Sequence, residues 1–521
     1  VFSKGFSGKA TYQIEDISSN LPTISLSEVT ECQVLESIRK LPAGQTCGND
    51  QLPSFLVRDC QGIFAKPLQK IINLSIRYCV FPEKWKNARV VPVFKNGDRS
   101  DASKYRPISI LCNFAKVYEQ LLYNSIYNSV KSYISQHQHG FMTNRSTVTN
   151  LVCLTQSLCE VVDKGGQMDV IYADFSKAFD SIDHDILLQK LSSFGFSLKL
   201  MNLMSSYLSN RSNFVFFNGF ESDNYVSTSG VPQGSNLGPL LFNLFINDLL
   251  TSVNCSTLAY ADDIKLFCPI YNIEDSARLQ SNWDHLVCWS DFNRLKLNFD
   301  KCYVVSYTKK KHLVQTNYII KGSPLQRKEY IKDLGVTFDC KLSFVNHIDS
   351  VSKAAMKMLG FIMRNGRIFN DIMALKTLYY AFVVSKLEYG SIVWSPLYLS
   401  HQLQLERVQR KFLKYISFKI DGIYPERGID YSSLVQRHGF SSLSDRRGLQ
   451  CSKFMLKLIT NKIDCPYIMG YVNFHVPKHA SRYVETFHLV TPRTNVMKNS
   501  PMTRISYFAN IHYDDIFHIA H

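Results

Sequence analysis

Two acids stand side by side in LAYADDIKLF, residues 258–267, where Asp262 and Asp263 interrupt an otherwise apolar run. Thr257, Leu258 and Tyr260 before them, and Ile264, Leu266 and Phe267 after them, are β-forming residues, so the run predicts two short strands meeting at the acidic pair. A tip that carries two carboxylates in place of Asn-Gly or Asp-Gly is not there for turn chemistry. Neighbouring like charges on a partly buried sheet are costly unless a cation neutralises them, and Mg²⁺ takes carboxylate and phosphate oxygens. Taken alone, the pair is either a metal site or an exposed acidic turn. Asp174 adds a third acid at the carboxyl end of a predicted buried strand, residues 170–173, where unpartnered carboxylates are rare. Three carboxylates on two rigid strands suit two-metal phosphoryl transfer, with ions about 4 Å apart activating a hydroxyl and stabilising the leaving group. No nucleophile sits in a Gly-flanked elbow to compete with that chemistry.

The elements that would position these acids follow along the chain. Residues 1–30 are rich in Ser, Thr and Gly and read as a linker. Helical spacing covers 29–38 and 63–79, followed by a strand over 88–94, a turn at Asn96 to Asp98 and extended chain over 105–111. Lys95, Arg99, Lys104 and Arg106 flank that turn; they could close over a triphosphate or form a solvated basic hairpin. Arg145, in a Gly- and Asn-bearing stretch before a helix, suits either a template phosphate or a helix end. Asp180 reads as the N-cap of a helix over 181–194 with Asp183 at its third position. The glycines flanking Gln233 permit the close backbone approach that a flat substrate needs. A turn at 298–300 leads to a strand near Lys301, and DLGVTFDCKLSF predicts two short strands about Asp339. Residues 346–420 are helical and basic, with 11 Lys and Arg against 4 Asp and Glu. In that span Leu405, Val408, Phe412 and Ile416 share one helix face, leaving Arg407, Arg410, Lys411 and Lys414 for solvent or phosphate. Residues 421–521 carry no motif, and no internal repeat appears.

Composition bounds the partners. The net charge of +16 and the 28 tyrosines and 34 phenylalanines of the 521 residues favour nucleic acid over a membrane surface. The 14 cysteines include no C-x₂-C pair, which argues against zinc and for reduced intracellular thiols. The longest apolar stretch, 239–250, holds Asn243, Asn247 and Asp248 and is too short and polar to span a bilayer. The expectation is an intracellular protein of nucleus or cytoplasm, not secreted. Beginning at Val1, it reads as a fragment of a longer product.

In order, PVFKNGDRSDASKYRPISIL, QHGFMTNRSTVTNL, IYADFSKAFDSIDH, SGVPQGSNLGPLLFNLFINDL, LAYADDIKLF, LKLNFDKC and LGVTFDCKLSF resemble the successive motifs of a reverse transcriptase. The type is that of non-LTR retrotransposons, in particular the jockey-like elements of insects. The resemblance implies an α+β right-hand polymerase: fingers and a palm with an antiparallel sheet over 31–345, a basic helical thumb over 346–420, and a C-terminal extension of unknown role over 421–521. It implies RNA-directed DNA synthesis from a primer 3′-hydroxyl and dNTPs, with an RNA template and a DNA primer as partners and two Mg²⁺ ions, Mn²⁺ being an alternative. Asp174, Asp262 and Asp263 would hold the metals. Phe179 would exclude a 2′-hydroxyl, Lys95 and Arg106 would grip the triphosphate, and Gln233 and Gly234 would lie along the nascent base pair. Lys301 would act as general acid for pyrophosphate. Leu334 and Gly335 would press on the primer end, and Arg145, Arg407, Arg410 and Lys411 would contact nucleic acid. The chain departs from the family pattern at Asn49, Gln51, Met142 and Asn236, which implies weakened template contact at most. It carries neither the endonuclease nor the zinc knuckle of such elements, so it should copy but not nick. The alternative is a catalytically inactive remnant that still binds nucleic acid.

Overall fold

The computed structural model describes residues 23–476 and 485–512. Most of the expected N-terminal linker, residues 1–22, lies outside that range. The remainder of the linker is structured. Ile24 is buried and its backbone joins Gly195 and Ser197, and Thr30 caps the helix Glu31–Arg39 through a reciprocal bond pair with Gln33.

The chain divides into two compact units, each assembled from three separate segments: residues 1–141, 173–264 and 282–302 in one, and 142–172, 265–281 and 303–521 in the other. These units cut across the linear boundaries expected at 345 and 420.

In the first unit the strand Ala88–Phe94 is central. It pairs antiparallel with Tyr105–Ile110, in the register Val93↔Arg106, and parallel with Arg211–Phe217. Tyr225–Ser227 returns antiparallel on Arg211–Phe217. The helix Gly238–Ser252 is apolar nearly all round and buries eleven of its residues, as a helix enclosed on all sides must. Phe81 anchors an aromatic cluster, stacked on Tyr118 at 5.3 Å and edge-on to Tyr207 at 5.1 Å. Together these pieces hold the hairpin and the loop that carry the candidate site.

The second unit contains the strand Gln167–Ala173 as far as Tyr172, buried throughout and antiparallel to Tyr303–Thr308 from Gln167↔Thr308 to Tyr172↔Tyr303. Continuous burial fits the apolar run over 170–173, while the buried Asp169 accepts from Ser306 at 2.5 Å and Tyr318 at 2.8 Å. A tight hairpin joins Tyr330–Asp333 to Val336–Asp339. Its turn is Leu334–Gly335, not the expected Asp339. Both turn residues have positive φ, 41° and 88°, whereas the Asp339 carboxylate accepts from the backbone of Lys341, Ser343 and Phe344 and so ends the second strand. Helices Val345–Asn365 and Leu399–Asp421 follow, the latter burying Leu405, Val408, Phe412 and Ile416 as its period predicts. The described residues after 421 include further helices. Helices Leu443–Ile459 and Pro501–Ile511 pack so closely that a Cβ on Gly448 would sit 2.7 Å from the Phe508 ring.

Candidate active site

Asp262 sits in the turn between the strands Ser256–Tyr260 and Asp263–Ile270, the geometry read from the sequence. Ala261, at φ 56°, makes the turn, and the Gln138 side-chain oxygen accepts from its N–H at 2.9 Å. Backbone bonds from His139 to Ala259, and from Ala259 to His137, lay residues 137–139 along the first strand. Gly140 lies so close that a Cβ would stand 2.2 Å from the Ala261 nitrogen. The Gly of HGF is therefore a close-approach residue, which sequence alone did not reveal.

Asp174 follows directly on the strand Gln167–Ala173, and its own carbonyl accepts from Asn298 N at 2.8 Å. A second bond, Ser176 N to Lys296 O at 2.8 Å, secures the same pairing. The short helix Phe299–Lys301 then carries the Lys301 ammonium to 3.2 Å from Asp174 Oδ2. Burial lifts the Asp262 carboxyl above the ordinary aspartate range, and the Asp174 charge lifts it further, while Arg106 and Lys95 oppose the rise. The two acids therefore feel each other. Asp263 is exposed at the first position of its strand.

Lys95 follows the strand Ala88–Phe94 and is fixed by its backbone bond to Lys104 O at 2.9 Å. Partial burial lowers its pKa first, then the nearby charges of Arg106 and Lys301, while Asp180 and Asp174 pull the other way. The basic hairpin and the acids thus share one electrostatic neighbourhood.

Phe179 lies in the short helix Ala178–Asp180, stacked on Phe242 at 4.6 Å and met edge-on by Phe141 at 6.0 Å. Its carbonyl accepts from Val231 N at 2.8 Å. Gly234, at φ 116°, brings the 230–234 loop against the Ser109 carbonyl, and Ser109 N donates to Gln233 O at 2.7 Å.

Asp180 is not the helix cap that its sequence suggests. The helix is His184–Ser193 and Asp183 caps it, accepting from Asp185 N and Ile186 N. Three residues earlier, Asp180 turns inward and accepts from Gln233 Nε2 at 2.9 Å. Burial raises its pKa to about 6, against the lowering pull of Gln233, Lys177 and Lys95. Asn236, noted as a departure, donates its N–H to the buried Glu119 at 2.7 Å and its side chain to Lys116 O at 3.0 Å.

A family model described as reverse transcriptase (RNA-dependent DNA polymerase) matches residues 93–363. The chain belongs to the reverse transcriptase family. Its mixed helices and sheets fit the right-hand polymerase fold of that family. It is similar to the probable RNA-directed DNA polymerase from transposon BS of Drosophila melanogaster, 27% identical over 436 residues, 80% of this chain and 48% of that one. The RNA-directed DNA polymerase from mobile element jockey of the same organism is 26% identical over 411 residues, 76% of this chain and 44% of that one. Among solved structures, an apo telomerase from Candida tropicalis truncated from its C-terminal domain covers 51% of this chain and 57% of its own, at 11% identity and a TM-score of 0.34. The chain spans about half the length of the curated relatives it matches.

In the first unit, this reverse transcriptase chain groups Asp174, Asp262, Lys301, Lys95 and Arg106 electrostatically. Phe179 and Gln233 are tied to the same framework through residues 178–180 and 230–234. The remaining expected contacts lie in the second unit. Arg145 does not face solvent: its side chain is 6% exposed, donates to Asp464 O at 2.9 Å and lies 3.8 Å from the Asp464 carboxylate. The sequence could not foresee this because the partner is more than 300 residues away. At the Leu334–Gly335 turn, Tyr389 Oη donates to Leu334 O at 2.8 Å and its ring lies against Gly335. Arg407, Arg410 and Lys411 are exposed, Arg410 lying over the Tyr431 ring, and all three are outside the matched region. Among the described residues, no helix is long and apolar enough to cross a membrane.

Proposed function

We propose that this chain is the RNA-directed DNA polymerase of a non-LTR retrotransposon, extending a primer 3′-hydroxyl with deoxynucleotides. The observation that carries the reading is the Asp174 charge acting on the buried Asp262, with Lys95 and Arg106 within electrostatic reach. Asp174, Asp262 and Asp263 offer oxygen donors only, and Asp262 is raised chiefly by burial and further by the Asp174 charge, so they would suit two Mg²⁺ ions. When bound, such ions supply charge neutralisation at the reacting oxygens.

The chain's own residues supply the rest. Lys95 and Arg106 bind the triphosphate, a point charge and a planar fork respectively. Phe179, held between Phe242 and Phe141, presents a ring that a 2′-hydroxyl would strike. The primer oxygen bonds to the α-phosphorus as the bond to the bridging oxygen breaks, and the hydroxyl proton passes to solvent water. Lys301 gives a proton to the departing pyrophosphate.

The test is primer extension on poly(A) with oligo(dT) and dTTP, with Mg²⁺ or EDTA, beside Asp262→Asn. Incorporation that requires metal and falls to background in the variant is expected. A folded chain that binds primer-template yet incorporates nothing overturns the reading in favour of a binding remnant.

A further inference from the structure

The helix Leu443–Ile459 carries two adjacent arginines with opposite fates. Arg446 grips Glu388 with both arms of its guanidinium, one at 2.9 Å. Arg447 is 4% exposed and, among the described residues, makes no hydrogen bond or ion pair. The nearby acids are already engaged. Glu406 accepts from Leu443 N, Ser444 N and Tyr431 Oη, and Glu388 also accepts from Gln450. Burial dominates the environment of Arg447 and lowers its pKa. Glu406 and Glu388 oppose that fall from nearby without bonding to Arg447, and guanidinium donors left without an acceptor are costly, so a ligand that accepts from them is favoured there.

Arg447 lines a cavity of about 400 Å³. That volume lies within the range of small-molecule sites. Among the described residues, no acidic side chain lines it. Ser444, Asn499 and Thr503 add polar atoms to its wall, and the exposed Lys498 adds a second cation. Arg504, also in the wall, already has carbonyl acceptors: it donates to Asn499 O at 2.9 Å, Ile392 O at 2.6 Å and Val393 O at 3.2 Å. Apart from Ser395 and Gln402, the remaining wall is apolar and aromatic, including Leu489, Val490 and Tyr507. The occupant must therefore join an anion to a flat or apolar body.

We infer that this cavity binds a nucleotide, its phosphate on Arg447 and its base against Tyr507 and Val490, as one splayed residue of single-stranded RNA. A guanidinium fork matches phosphate geometry, and an unstacked base gains most from an aromatic wall. The inference rests on the proposed handling of nucleic acid by this chain, whose net charge is +16. It gives residues after 421, which sequence left without a role, a part in holding the template.

The experiment is fluorescence anisotropy of a labelled unstructured RNA dodecamer on the full chain across a salt series, without dNTPs. Arg447→Met should weaken binding about tenfold and lower the salt slope by roughly the contribution of one phosphate contact, about 0.7. Its melting temperature should hold or rise, because a buried unpaired charge has gone. Metal-dependent primer extension by the parent chain, run in parallel, separates failure here from failure of the polymerase reading. Unaltered affinity and salt slope overturn the inference, whatever happens to the melting temperature. If the variant does not fold, phenylglyoxal labelling of Arg447 in the native chain decides: protection by RNA supports the site, and equal labelling removes it. Competition separates the two sources of a nucleotide. Displacement by AMP assigns a free mononucleotide to the cavity in place of the strand, and displacement by RNA alone assigns the strand.

Discussion

Asp180→Asn removes a charge from an inward-facing position while preserving its shape. Burial raises the carboxyl from the ordinary 3.8 to about 6. The group therefore holds its proton more tightly in the folded chain than in the unfolded one. Its favourable contribution to folding is full below about pH 4 and is lost as the pH rises through about 6. The gap from 3.8 to about 6 corresponds to about 3 kcal/mol at pH 7.5, the cost of keeping the carboxylate ionised. Asparagine has no such cost, although its amide must find a partner. Asp180→Asn should therefore be about 1–3 kcal/mol more stable than the parent at pH 7.5, the gain shrinking towards zero at pH 4. Urea unfolding of both chains from about pH 4 to 8 measures this, and the difference between the two curves cancels the titration of other groups. The same change should weaken function. A carboxylate compels Gln233 to donate through Nε2, as it does at 2.9 Å, and so fixes which end of the amide faces the substrate. A neutral amide allows both orientations, so KM for dNTP should rise severalfold with kcat less affected. A stability difference that does not vary with pH, or an Asn variant less stable at pH 7.5, refutes the electrostatic argument.

Lys265, 1% exposed, lies 2.6 Å from the buried Asp333, and Lys265→Met should cost about 3–5 kcal/mol by stranding that acid. Adding Asp333→Leu should recover most of the loss in urea unfolding; a double variant no better than the single one would exclude the ion pair as the cause. Gly140→Ala should cut incorporation at least about tenfold, because its Cβ would collide with the Ala261 nitrogen at 2.2 Å beside Asp262. Near-parental activity with an unchanged melting temperature would show that the turn gives way freely. Phe179→Val should shrink the ring wall and raise ribonucleotide incorporation relative to deoxynucleotide, read as the ratio of kcat/KM values on one template; an unchanged ratio would assign Phe179 to core packing alone.

What was legible in the sequence was local. The acidic turn, the Asn-Gly hairpin and the amphipathic period of 405–416 each follow from a few neighbouring residues, and each appears where expected. The misread positions depend on partners far along the chain. Asp180 resembles a cap because Asp followed by a helical pattern normally is one, yet a bond from Gln233, 53 residues later, turns it inward. The Leu334–Gly335 turn went unplaced because Leu at positive φ carries no composition signal, and Tyr389, which holds that turn, is 55 residues away. Arg145 is the same lesson at a greater distance. Residues 421–512 offered no motif because their helices are specified by packing, such as Gly448 against Phe508, rather than by chemistry.

The segmented make-up of the two units has a consequence for biosynthesis. The chain passes from one unit to the other five times, and the second unit draws residues 142–172 together with everything from 303 onward. A ribosome releases the N-terminal end first, so neither unit can be completed before the segments after residue 281 have emerged. Strand Gln167–Ala173 must wait for Tyr303–Thr308, with its apolar run open to wrong pairing in the interval. A product stopped near residue 420 would not be a polymerase lacking an appendage. It would be a nascent chain missing part of the core on which its earlier segments condense, and a natural client for chaperones and proteases.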